Sequence, residues 1–215
     1  MNTMIFSATA GKETDTILYE TADEKIVFKE NNKESLHTVY NKAIDFAIQE
    51  DVENLVLVHD DVILENYSEH KLNNLFKKFD IIGCAGTTEV KLEPPALWHI
   101  MGGGLGSKNL HGAVAHGDKK EKHMTPFGTY PKRVVLIDGV FIAIKRKVFS
   151  KIRFDEKCPA KWHFYDLDYS MQCHKAGFKI GVGDILITHN SPGLTSFTEE
   201  FNKGQEWFLQ KWKTK

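Results

Sequence analysis

Residues 55–62, LVLVHDDV, constrain the fold more than any other stretch of the chain. Apolar residues rich in valine and leucine run straight into a histidine and two aspartates. A buried central strand of a parallel sheet reads this way at its carboxyl end. Open α/β sheets bind ligands in the crevice beyond those strand ends, which puts Asp60 and Asp61 in the floor of a site. Side chains alternate along a strand, so His59 and Asp61 share one side and Asp60 takes the other. Adjacent carboxylates repel unless a cation or donors compensate them. Oxygen ligands of this kind suit magnesium or manganese, usually shared with substrate phosphates. A solvated aspartate pair capping the next helix is the alternative.

Composition bounds the remaining choices. A chain of 215 residues can bury a full core and fits one domain better than two. Its 41% hydrophobic and 27% charged content are ordinary for a globular protein. A net charge of −1 gives no general attraction to nucleic acid or acidic lipid. No apolar run approaches the roughly 18 residues of a membrane span, and the start MNTMIFSATAGKET lacks a signal peptide's basic and apolar regions. Cys84, Cys158 and Cys173 form no CxxC and no paired framework, which suits free thiols in a reducing cytoplasm.

In chain order, residues 4–8 and 25–29 (KIVFK) read as short strands, with a short helix or loop over 14–19 between them. From Ser35, the residues Leu36, Val39, Tyr40, Ala43, Ile44, Ala47 and Ile48 follow helical spacing. Asn41 borders that stripe, either exposed or fixing backbone near the site. This helix leads directly into the residue-55 strand, a unit typical of α/β folds. Residues 70–79 read as an amphipathic helix, and 80–86 (DIIGCAG) as a strand whose small residues allow close approach of a ligand or another backbone.

Residues 87–132 are the least regular part and read as a mobile loop. Their glycines, 102–104 and 106, match neither the dinucleotide nor the phosphate-loop pattern. His99, His111, His116 and His123 lack metal-ligand spacing on a shared helix and read mostly as surface residues. Trp98 is either a sugar-stacking, acceptor-side residue or a packed loop anchor. Long irregular loops in compact domains are often lids or substrate-binding segments.

Regular structure returns at 133–144, RVVLIDGVFIAI, two strand pieces interrupted by Asp138 and Gly139. A carboxylate in so apolar a stretch needs a partner, which makes Asp138 a candidate for an acceptor hydroxyl or a nearby cation, and a turn aspartate otherwise. Gly139 permits a bulge or close approach beside it. Helical spacing resumes at Leu167 and stops at Gly177, so Asp166 and Asp168 fall in a helix's first turn. Ordinary capping explains one such aspartate better than two. Residues 178–182 and 185–189 read as short strands, followed by a polar loop over 189–193. Residues 196–215 read as an amphipathic helix docked on the domain or on a neighbouring subunit of a homo-oligomer, with weak membrane-surface association as the alternative.

The ordered set VHDDV, GCAG, DGVF, FDE, FHFYDLDYS and HNSPG resembles the glycosyltransferase-like family 2 enzymes, over residues 39–193. Within them it is most similar to a small bacterial branch related to a streptomycin-cluster protein and to capsule or cell-surface glycan enzymes. The resemblance implies a single GT-A domain over 1–215, a Rossmann-like α/β fold. Its mixed, mainly parallel sheet would be flanked by helices and joined by a smaller acceptor-side sheet. His59, Asp60 and Asp61 fall on the family's DxD, with Asp61 as the metal and diphosphate ligand and His59 in the first acidic position. Tyr165 and Asp166 fall on its ED pair, so Asp166 matches the catalytic base while tyrosine replaces the usual glutamate. His189 matches a further metal ligand. No nucleotide-binding aspartate is evident after the first strands; Ser7, Ala8 and Thr9 lie where base and ribose are expected.

The activity so implied is cytoplasmic transfer of a sugar from a nucleotide-diphosphate donor to a glycan or other hydroxyl acceptor, hexosyltransferase-like and inverting. Asp61, His189 and His59 would hold Mn2+ or Mg2+, and Asp166 would act as base. Asp60, Asp138, Gly139, Asp168, Trp98, Ser7 and Thr9 would contact the substrates. A metal-dependent nucleotidyltransferase also places carboxylates at strand ends, and a non-catalytic glycan- or nucleotide-binding module is the third reading.

Overall fold

A computed structural model describes residues 2–191 and 196–213. The first strand, β1 (Thr3–Ala8), pairs in parallel with β2 (Ile26–Lys29) on one side and β3 (Asn54–Val58) on the other. β3 is buried along its whole length and its side chains divide between two cores. Leu55 and Leu57 face helix α2 (Leu36–Gln49), while Val56 and Val58 face the opposite layer. Each such fully buried side chain contributes about 1.5–3 kcal/mol relative to exposure. The helix buries Leu36, Val39, Tyr40, Ala43, Ile44 and Ala47, the stripe that its spacing predicts, and Ser35 caps it by accepting from the Thr38 amide at 3.2 Å.

β3 continues through β11 (Phe141–Lys145), β5 (Ile81–Gly83), β12 (Ile180–Val182) and β9 (Lys132–Val134) to complete a seven-stranded sheet, order β2-β1-β3-β11-β5-β12-β9. β2, β1, β3, β5 and β12 run one way, and β11 and β9 run against them. The sheet is therefore mixed but mainly parallel in strand direction. Helices α3 (Glu69–Phe76) and α7 (Glu199–Lys213) contribute to one of the two cores, and α2, α5 (Arg146–Phe149) and α6 (Tyr165–Lys175) to the other. A short α1 (Ile17–Thr21) fills the connection between β1 and β2.

A second sheet, order β10-β6-β7-β13-β4, comprises β10 (Leu136–Ile137), β6 (Ala85–Thr87), β7 (Leu110–Gly117), β13 (Ile187–His189) and β4 (Val62–Leu64), with β8 (Lys122–Gly128) added to β7. The chain passes from one sheet into the other at short links that include β3 to β4, β5 to β6 at Cys84, β9 to β10 at Val135, and β10 to β11 through Asp138–Val140. The site lies where they part.

Two expectations change. The run 80–86 is two strands, because β6 leaves the first sheet to pair with β10; a Cβ on Gly86 would sit 2.2 Å from the Leu136 carbonyl oxygen, so glycine permits that approach. Residues 87–132 are not an irregular loop: they hold α4 (Trp98–Met101) and the β7–β8 hairpin. The hairpin shows no apolar alternation because β8 is mostly exposed and β7, apart from Leu110 and Val114, is built from glycine, alanine and histidine. The end of the polar loop expected after His189, at Pro192 and Gly193, lies outside the described residues, as do Thr214 and Lys215, the last two positions of the helix expected over 196–215.

Candidate active site

Beyond β3, His59, Asp60 and Asp61 form a turn rather than more strand. His59 and Asp61 line a cavity of about 600 Å³, whereas Asp60 does not. His189, the last residue of β13, meets them: its Nε2 lies 3.2 Å from Asp61 Oδ2, and His59 Nδ1 lies 3.9 Å from Asp61 Oδ1. One ligand atom from each of these three residues lies within 4.8 Å of the others. Burial alone would raise the Asp61 carboxyl, but the hydrogen bond and charge of His189, with His59, hold it below its ordinary value. Burial pulls His189 down, and its bond to Asp61 outweighs that, leaving its pKa raised. His59 is pulled down by burial despite Asp61. Asp61 Oδ1 is buried without a hydrogen-bond partner. A carboxylate with one orphaned oxygen, set between two imidazoles, is a donor set that fits a divalent cation.

Asp166 opens on the same cavity from the first turn of α6. Its helix starts at Phe164, a non-glycine residue held at φ 68°. Such a conformation persists only where the surroundings enforce it; here Phe164 packs between Phe201 and Phe208 of α7, with ring centroids at 5.0 and 6.0 Å. The Gly139 amide donates to Asp166 Oδ2 at 3.0 Å. Burial, aided by the charge of Asp138, pushes the Asp166 carboxyl up to about 7, against the lowering effect of backbone hydrogen bonds. This is the range in which a carboxylate serves as a general base at neutral pH.

Asp138 also lines the cavity. Its Oδ2 accepts from the Trp98 indole at 3.0 Å and its Oδ1 from the Val140 amide at 3.2 Å. Trp98 is largely buried and meets Phe127 edge-on at 4.8 Å, as a packed anchor does, and it also lines the cavity, as an acceptor-side residue would. Gly139 lies against Tyr165, whose hydroxyl is 2.6 Å from His59 Nε2.

Other expected residues lie elsewhere. Asp168 is wholly buried beneath α7, two residues and more than half a helical turn from Asp166. There it accepts from Lys211, the Trp212 indole and Gln172, and burial nonetheless raises its carboxyl. Ser7 is fully buried at the end of β1, its Oγ without a hydrogen-bond partner, and Thr9 accepts from the Gly11 amide at 3.3 Å; neither lines the cavity. The Asp60 carbonyl accepts from the Leu18 amide at 3.2 Å. Asn41 fixes backbone, bonding both the amide and the carbonyl of Phe154 at 2.9 Å.

The histidines expected at the surface need correction. His99 and His116 line the cavity, and His111 is buried with Nδ1 3.0 Å from the Thr129 carbonyl oxygen. His111 and His116 are placed by β7 and His99 by α4, elements that the local sequence pattern does not reveal. Trp162, 42% exposed at the cavity, and Phe201 of α7 are further lining residues that no motif marks.

A Rossmann-like sheet with a histidine and carboxylate cluster beyond its central strand, and a second sheet walling the adjoining cavity, is the architecture of the GT-A class of nucleotide-sugar transferase folds. Residues 20–212 match the model of a family described as glycosyltransferase-like. The chain belongs to that glycosyltransferase-like family. No curated protein matches it. Among solved structures, A197 from STIV is 16% identical over 89% of this chain and 86% of that one, with a TM-score of 0.53. A glycosyltransferase involved in the glycosylation of the major capsid of PBCV-1 is 13% identical, covering 94% and 99%, with a TM-score of 0.39. CMP:2-keto-3-deoxy-manno-octonic acid synthetase complexed with CTP is 10% identical, covering 98% and 100%, with a TM-score of 0.43. The structural likeness that bears on the fold is the first. Family membership supports nucleotide-sugar transfer as the general activity.

Proposed function

We propose that the protein transfers a sugar from a nucleotide-diphosphate donor to a hydroxyl acceptor, with inversion at the anomeric carbon. The observation that carries this reading is the convergence of His59, Asp61 and His189 with Asp166 on one cavity. In the transfer, Asp166 accepts the acceptor hydroxyl proton as that oxygen bonds the anomeric carbon, and the donor's carbon–oxygen bond to diphosphate breaks. Asp138, fixed by Trp98 and Val140, orients the acceptor, and the Gly139 amide keeps Asp166 aimed. Asp60, in the turn beyond β3, serves the nucleoside side.

Among the described residues no lysine or arginine lines the cavity, while Asp61, Asp138 and Asp166 do. A diphosphate entering there needs positive charge from elsewhere. His59, Asp61 and His189 would hold a divalent cation, which would supply that charge to the leaving diphosphate. Two imidazoles beside one carboxylate favour manganese over magnesium, whose ligands are oxygens. No helix of the described residues is long and apolar enough to cross a membrane; we place the activity in the cytoplasm, facing nucleotide sugars.

The test is a thermal-shift and calorimetric screen of nucleoside diphosphates with and without manganese. Ligands that bind the folded state raise its apparent stability by mass action. Manganese and nucleoside diphosphate should stabilise the protein together more than either alone, and Asp61→Asn should abolish the synergy with the fold intact. Equal nucleotide affinity in chelator and in manganese rejects the metal assignment. Release of pyrophosphate in place of nucleoside diphosphate marks a nucleotidyltransferase, and binding without turnover a non-catalytic module.

A further inference from the structure

We propose that Tyr165 is the positioning residue of the metal centre: its hydroxyl fixes His59 so that Nδ1 is presented to Asp61 and His189. The inference rests on the assignment of those three residues as cation ligands.

An imidazole binds a cation through one nitrogen, and the other must then carry a proton and find an acceptor. His59 Nε2 is engaged by Tyr165 Oη at 2.6 Å, while Nδ1 faces Asp61 Oδ1 across 3.9 Å. That gap is too long for a hydrogen bond, and Asp61 Oδ1 has no other hydrogen-bond partner. A nitrogen and an oxygen facing each other at this separation are placed to share a cation. With Nε2–H donating to Tyr165 Oη, the Nδ1 lone pair is the one left free.

The tyrosine is itself held. Its ring meets Tyr40 at 5.5 Å, His37 at 6.2 Å and Phe154 at 6.4 Å, so three aromatic side chains fix its plane. The hydroxyl reaches His59 only because residue 139 is glycine: a Cβ there would lie 2.3 Å from Tyr165 Oη. A phenol also supplies the acceptor oxygen without a further negative charge beside Asp61, Asp138 and Asp166. Tyr165 and Asp166 are consecutive, so one turn of α6 orients the ligand set through the first and presents the base through the second.

The experiment is titration of the full chain with Mn2+ alone, free ion being counted by electron paramagnetic resonance, alongside thermal unfolding without metal. Tyr165→Phe keeps the ring and its packing and should weaken Mn2+ binding by about 10–100-fold, the usual scale for losing an outer-shell partner of a ligating histidine. Gly139→Ala, which forces the hydroxyl aside, should weaken it in the same direction, and His59→Asn should weaken it at least as much. A purely structural tyrosine would lower the metal-free unfolding temperature and leave Mn2+ affinity unchanged. Unaltered affinity in Tyr165→Phe overturns the proposal, provided His59→Asn loses affinity. Failure of the unmodified chain to bind Mn2+ overturns the metal reading itself, and the proposal with it.

Discussion

The amide of Gly139 donates to Asp166 Oδ2 at 3.0 Å, so the loop that carries Asp138 grips the carboxylate at the start of α6. This contact joins the two segments that carry Asp138 and Asp166 to the cavity, and it holds Asp166 at a buried helix end beside a second carboxylate.

Asp166 should dominate the pH profile. A base with its pKa pushed up to about 7 is ionised above that value, so kcat/KM should rise with pH through about 7. Asp166→Asn should retain donor binding, lose at least about a hundredfold in turnover and abolish that limb. Near-normal turnover in the variant rejects Asp166 as the base. Stability should move the other way. A carboxyl whose folded pKa is raised contributes stability that is complete below the ordinary carboxylate range and is lost as pH rises through the folded value. The unfolding temperature of Asp166→Asn, relative to the unmodified chain, should therefore climb between about pH 4 and 7.

Much of this was legible in sequence because the signals were local. LVLVHDDV announces a buried strand that ends at the cavity with His59 and Asp61, and the 36–48 stripe becomes the buried face of α2. The opposed directions of Asp166 and Asp168 follow from helical geometry alone. Partners set by the meeting of distant strands were not legible. His116 faces the cavity because β7 pairs with β13, and the contact between Tyr165 and His59 spans 106 residues. Gly86 and Gly139 read as sites of close approach; only the assembled fold shows that the approaching groups are the Leu136 backbone and the Tyr165 ring.

His37 predicts an acid-sensitive fold. It lies on α2, fully buried, with neither ring nitrogen hydrogen-bonded, and burial lowers its pKa to about 4 although Asp155 and Glu156 oppose the shift. A histidine depressed in the folded state contributes stability that is present above its unfolded value of about 6.5 and lost as pH falls through the folded value. Urea unfolding of His37→Phe should therefore show a shallower fall in stability between about pH 6.5 and 4 than the unmodified chain. Parallel pH dependences would reject the assignment.

The C-terminal helix should not carry the protein to membranes. Phe201, Phe208, Leu209 and Trp212 of α7 are already buried against the domain, which leaves the helix without a free apolar face of the size an interfacial helix uses. Sedimentation with anionic vesicles at physiological salt should leave the protein in the supernatant. Strong recovery in the pellet, lost on deleting the residues after Ser196, would show that the helix undocks to bind lipid.

Asp168 should matter to the fold and not to the chemistry. Its side chain is 1% exposed and lies 2.7 Å from Lys211 Nζ, itself 14% exposed; Lys211 also pairs with Asp155 at 2.6 Å, and Trp212 donates to Asp168 at 2.8 Å. Removing one member of a buried ion pair costs about 3–5 kcal/mol where the other charge is left uncompensated; Asp155 still pairs with Lys211 here, which puts the cost at the lower end of that range. Asp168→Ala should lose stability on that scale by urea unfolding, with α7 loosened first. Hydrogen exchange of the Phe208 and Leu209 amides would reveal that loosening. Below its unfolding temperature, Asp168→Asn should keep near-normal kcat, because α6 turns this carboxylate away from the cavity that Asp166 faces. A large loss of kcat in a folded Asp168→Asn, with α7 still protected from exchange, would reject the structural role and return Asp168 to the acceptor site.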